Sequence, residues 1–89
     1  MTWTLRRTFQ DEFGCTPHEF LTRRRIARAI PLLAKGMKTR VVASEVGYRS
    51  RKNLFGALKK LTGLLPSEVQ KLSATDLASV VERLDPTAN

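Results

Sequence analysis

The stretch from Met37 to Gly63, MKTRVVASEVGYRSRKNLFGALKKLTG, leaves the chain few ways to fold. It reads as two short helices that meet at a tight turn. The first carries Val41, Val42 and Val46, with the small Ala43 where a crossing helix must come close, and Gly47 follows as a left-handed helix stop. Tyr48 and Arg49 make the turn. Ser50 can cap the second helix, which places Leu54, Ala57, Leu58 and Leu61 at i, i+3, i+4 and i+7, one apolar stripe facing inward. Arg51, Lys52, Asn53, Phe55, Lys59 and Lys60 are left to face outward. A helix with one buried stripe and a cationic, amide-bearing outer face suits the major groove of DNA. Cations there meet phosphates, and planar donors meet base edges.

Composition narrows the partner. Lys and Arg number 16 against 8 acidic residues, a net charge of +8 with a pI near 10.6, so a polyanion is the expected ligand. No segment approaches the roughly 18 to 20 apolar residues of a membrane span, and no signal peptide opens the chain, which places nucleic acid ahead of a membrane. With 89 residues and 42% hydrophobic content the chain can build one small core, not a large enzyme. Cys15 stands alone, so no internal disulfide can form. A reducing cytoplasm, at the nucleoid, is the expected compartment. There is no low-complexity tract and no Cys or His cluster at metal-binding spacing; no cofactor, no metal and no enzymatic activity are expected.

In chain order, Met1 to Phe13 reads as a helix with Leu5, Phe9 and Phe13 every four residues, ended by Gly14. No folded segment is expected before Trp3 to cover the other side of that stripe, so a partner helix is expected to be missing. Thr16, Pro17, His18 and Glu19 form a capping box with proline at the first helical position. A long helix should follow from Pro17 to about Ala34, closed by Gly36. At about 100° per residue, Phe20 and Leu21 point one way, and Ile26, Ala29, Ile30 and Leu33 roughly half a turn away. Such a helix is a strut that packs the first helix on its early part and the 37–63 unit on its late part. Pro31 inside it predicts a kink near Ala27 to Pro31. Pro66 opens a short closing helix whose cap position holds Leu65, a poor cap. Ser73 can cap a last helix with Leu77, Val80, Val81 and Leu84 on its apolar face, ended by Pro86.

The chain also repeats itself. Leu5 to Phe20 lies over Leu54 to Val69 without a gap, with Gly14, Pro17 and Glu19 matched by Gly63, Pro66 and Glu68. These residues resemble the DNA-binding domain of the AraC family of bacterial transcription regulators, two helix-turn-helix units joined by a long helix. LRRTFQDEFGCTPHEFL is similar to that family's first recognition segment, RIARAIPLL to its linker helix, and VASEVGYRSRKNLFGALKKLTGLLPSEVQ to its signature second unit. The match covers about residues 2 to 72. It implies an all-α fold: a three-helix helix-turn-helix bundle joined by a long linker helix to an incomplete first unit, since the family places two further helices before the one at Trp3. The expected divisions are 1–36, the partial first unit with its linker helix; 37–72, the complete second unit; and 73–89, a C-terminal helix and tail.

Carried across by position, the resemblance implies that Arg51, Lys52, Asn53, Phe55 and Gly56 occupy base-reading positions and that Ser50 and Lys59 hold phosphates. Arg49, in the turn, joins this DNA-binding set. Trp3, Arg6 and Arg7 are the corresponding residues of the first unit. Double-stranded DNA is the implied partner; RNA polymerase or a second copy of the chain are further candidates. The chain departs from the family pattern at Leu54, Leu58 and Val69, which stand where aromatics are usual, and at Gly56, which stands where a polar or basic residue is common. Weaker sequence reading is the expected consequence.

Each assignment has a structural competitor. Arg51, Lys52, Lys59 and Lys60 could be a merely solvated face, although the helix-turn-helix frame favours DNA contact. Phe55 either faces the groove or tucks against the edge of the core, and Trp3 either meets the groove or covers the open end. Arg23, Arg24, Arg25 and Arg28 read as solvated, salt-bridged helix surface, Cys15 as a buried apolar residue, and His18 as surface. Two other functions compete with specific recognition: nonspecific DNA binding by a truncated domain, and a dimerising module that modulates a full-length regulator through Leu5, Phe9 and Phe13.

Overall fold

The computed structural model describes residues 14–85, and all regular structure among them is helical. The expected helix at Met1–Phe13 and the stop at Pro86 lie outside the described residues. Five helices follow one another: α1 (Pro17–Ala34), α2 (Thr39–Val46), α3 (Arg51–Thr62), α4 (Pro66–Gln70) and α5 (Ala74–Leu84).

Local sequence sets nearly every boundary. At the start of α1 the Glu19 amide donates to Thr16 Oγ1 at 3.2 Å, with Pro17 in the first turn. The Thr16 hydroxyl in turn donates to Glu19 Oε1 at 3.0 Å, so the glutamate locks the cap through the hydroxyl. Pro31 stands on the exposed side of α1, and Lys35 N donates back to its carbonyl at 3.1 Å, continuing the ladder beyond it. α1 and α2 end alike. Gly36 N bonds Leu33 O and Met37 N bonds Leu32 O; Gly47 N bonds Ser44 O and Tyr48 N bonds Ala43 O. This double closure needs a left-handed residue, and Gly36 and Gly47 supply it at φ 86° and 98°. The poor cap expected at Leu65 is compensated from the other side, because Leu65 N donates to Glu68 Oε1 at 2.8 Å.

One core joins the five helices. α1 contributes Ile26, Ala29, Ile30 and Leu33, α2 Val42, Ala43 and Val46, α3 Leu54 and Leu58, α4 Val69 and α5 Leu84, all buried. Ala57 and Leu61, expected to face inward with Leu54 and Leu58, are half-buried at the edges of that stripe. Val41 departs from expectation. It is 41% exposed, because a step of about 100° from Val42 carries it off the narrow buried face of a two-turn helix. On α1, Leu21 is largely exposed and Phe20 half-buried; the packing expected between this early face and the helix at Met1–Phe13 lies outside the described residues, and the later face makes the described core. Cys15 is buried as a free thiol and His18 is exposed.

The arginine run on α1 is more than solvated surface. Arg24 and Arg28 are exposed, but Arg23 lies half-buried and donates through Nε to Leu84 O at 2.9 Å and through Nη2 to Arg83 O at 2.7 Å. These are end carbonyls of α5, which lack partners within their own helix. A planar guanidinium thus fastens α5 along α1, a geometry a point-like ammonium does not reproduce. Arg23→Ala should therefore destabilise the domain by about 2 kcal/mol, the usual loss for hydrogen bonds to a charged donor. Amide exchange should show the lost protection concentrated in Ala74–Leu84.

Candidate nucleic-acid interface

α3 begins where Ser50, in extended backbone geometry, accepts a hydrogen bond from Asn53 N at 3.2 Å. That bond uses an oxygen lone pair and leaves the hydroxyl proton to donate outward. With Leu54 and Leu58 turned fully inward, helical geometry sends Arg51, Lys52, Asn53, Gly56, Lys59 and Lys60 to the exposed side. Phe55, open between the groove and the core edge, takes the second. It is half-buried and packs against the core, because its position borders the buried stripe.

The turn is braced from behind. The Arg25 guanidinium lies over the Tyr48 ring, 5.5 Å from its centroid, which ties α1 to the turn between α2 and α3. Arg25 Nε also comes within 3.2 Å of the place where a Cβ on Gly47 would stand, so a side chain there would press on this guanidinium by a few tenths of an ångström, while the backbone angle itself calls for glycine. Among the described residues the buried Tyr48 hydroxyl has no hydrogen-bond partner. Burial raises its pKa above the ordinary 10.0, while the positive Arg25 pulls the other way.

In front of the turn lies an open depression of about 700 Å³. Among the described residues Lys38, Arg40, Arg49, Arg51 and Lys52 line it with the hydroxyl residues Thr39 and Ser50, and none of these is an acid. Four of the sequence-predicted residues, Arg49, Ser50, Arg51 and Lys52, are brought together here. Asn53 and Lys59 are exposed on α3 outside the depression. Trp3, Arg6 and Arg7 lie outside the described residues. Sequence reasoning missed Lys38 and Arg40, which join the set because α2 starts beside the start of α3.

A signal for them existed. The positive end of a helix dipole favours an acid and disfavours a cation by about 0.3–1 kcal/mol per charge. Helices α1, α4 and α5 obey this with Glu19, Glu68 and Asp76 in their first turns. The two helices that open on the depression have no acid in the first turn and carry cations instead. Two positive helix ends and five cations therefore converge, an arrangement that an anion relieves. The whole sequence is polarised in the same sense: residues 37–63 hold seven Lys and Arg and one acid, and residues 64–85 hold two against four carboxylates.

The helix-turn-helix domain family matches residues 1–72, four-fifths of the chain. The chain belongs to this AraC-type helix-turn-helix family. A protein of Staphylococcus epidermidis named as an uncharacterized response regulatory protein is 34% identical over 67 residues, which cover 75% of this chain. The chain spans 27% of the length of that relative. No solved structure matches the chain. As an AraC-type helix-turn-helix, the chain is a DNA-binding domain of transcription regulation. In this AraC-type domain α1 to α4 lie within the matched residues, and α5 lies beyond them. Among the described residues no helix is long and apolar enough to cross a membrane.

Proposed function

We propose that this AraC-type domain binds double-stranded DNA sequence-specifically, with α3 in the major groove and the cationic depression seated on the adjoining backbone. The observation that carries this reading is the convergence of two acid-free helix N-termini with five cations. Arg51, Lys52 and Asn53 are the direct readers: arginine and lysine donate to guanine, and asparagine pairs with adenine. Lys38, Arg40, Arg49, Ser50 and Lys59 hold phosphates and fix the register. Phe55 contributes only its exposed edge. In the division of the chain into 1–36, 37–72 and 73–89, Trp3, Arg6 and Arg7 contact the next major-groove segment, about 34 Å along the duplex. The domain works in the cytoplasm at the nucleoid, by binding rather than catalysis, and RNA polymerase or a second copy of the chain is the partner that turns binding into regulation.

Selection of the purified chain on a pool of random duplexes at two salt concentrations tests this. The expected result is an enriched motif about one groove segment long that is lost on Arg51→Ala. Binding that falls steeply with salt while no motif emerges would reduce the domain to an electrostatic binder.

A further inference from the structure

Four of the five glycines have positive φ, which explains why each is glycine. Gly56 does not. It sits mid-way along α3 in ordinary helical geometry, and a Cβ added there would meet nothing within 4 Å among the described residues. Neither backbone angle nor packing among the described residues calls for glycine at a position where it weakens the helix. Its location supplies the reason. With Leu54 and Leu58 at 0% exposure, steps of about 100° put Gly56 almost diametrically opposite the buried stripe, at the crest of the exposed face. Lys52, Asn53, Lys59 and Lys60 stand around it, all exposed. The crest is therefore a notch one side chain deep, walled by long cationic residues and an amide.

We propose that Gly56 is a specificity-determining residue, and that its notch receives the C5-methyl of a thymine on the floor of the major groove. The inference rests on the reading of α3 as the groove-entering helix. Within a helix, the amide and carbonyl of Gly56 are committed to the backbone ladder, so the notch offers only Cα hydrogens. A polar base edge facing it would lose water and gain no hydrogen bond. The thymine methyl is the base-edge group in the major groove that asks for none. The missing side chain also lets the helix axis settle closer to the bases, which brings the short Asn53 within reach of an edge. A closely approached ligand is one of the uses that offset the weakness of glycine in a helix.

Gly56→Ala separates this role from a structural one because it moves stability and binding in opposite directions. The melting midpoint should rise by about 4–8 °C, since alanine is the better helix former and has room. Affinity for the selected duplex should fall roughly tenfold, with affinity for an unrelated duplex unchanged. Replacing thymines one at a time by deoxyuridine, which lacks the methyl, should weaken the wild type at one position, and at that position should return much of the affinity of Gly56→Ala. If Gly56→Ala binds the selected duplex as tightly as the wild type, or weakens on both duplexes equally, the notch has no reading role. A wild-type domain that selects no sequence overturns the groove-reading proposal and this inference together.

Discussion

Truncation of Leu58 to alanine is expected to lower the unfolding free energy by about 3 kcal/mol and the melting midpoint by roughly 15 °C. Leu58 is 0% exposed at the centre of the α3 stripe, where among the described residues it belongs to a core whose large, fully buried members are Ile26, Ile30, Leu33, Val42, Leu54, Leu58 and Val69. Removing three carbons there loses their transfer free energy and leaves a cavity, and five helices that all draw on one core cannot collapse freely into it. A domain of this size holds about 5–10 kcal/mol in total, so the loss is a large share. Leu61, on the same helix but half-buried at the edge of the core, should lose less than half as much on truncation to alanine. Urea titration of the two variants measures the difference; equal losses would mean that α3 is not anchored through its central leucine. DNA affinity of Leu58→Ala should fall only as far as the folded fraction falls, and should recover on cooling toward the temperature of maximal stability.

That coupling between stripe and outer face explains why this fold was readable from residues. Thr16 with Glu19, Ser50, Ser73 and the glycines at 36, 47 and 63 are local signals, and each caps or stops a helix where spacing alone says it should. Periodicity likewise located Leu54 and Leu58 within the core. What periodicity left unsettled are positions next to a stripe. Val41 and Phe55 each lie about 100° from a buried neighbour, and which side of the boundary a flanking residue takes depends on how helices cross, which is not written in one helix. Arg23 and Arg25 were illegible for a related reason. Their partners, the end carbonyls of α5 and the Tyr48 ring, are distant in sequence, and an arginine on a helix surface carries no mark of what it will reach. Lys38 and Arg40 were legible in principle through their conflict with the helix dipole, a signal that becomes directional only when α2 is seen to start beside α3.

The same conflict gives the second large effect. Neutralising Lys38, Arg40 and Arg49 together, each to alanine, should flatten the plot of log affinity against log salt concentration by about 2.7, since each phosphate contact contributes about 0.9 to the slope on duplex DNA. Affinity at moderate salt should drop by two to three orders of magnitude, on the order of 1–1.4 kcal/mol per cation removed. Stability should move the other way. Lys38 caps α2, Arg40 lies in its first turn and Arg49 sits just before the cap of α3, so in the free domain all three face positive helix ends and one another. Their removal relieves that repulsion, and the melting midpoint should hold or rise, most clearly at low salt where screening is weakest. Lys71→Ala is the control: it deletes an exposed cation in the acidic stretch after α4 and should leave the salt slope unchanged. A triple variant that binds with the wild-type slope would show that the depression faces away from the phosphates. One that loses slope and melts lower would mean that these cations support the fold itself. Loss of slope with stability held or gained is what cations placed for an absent polyanion must give, because the free domain keeps their mutual repulsion until DNA relieves it.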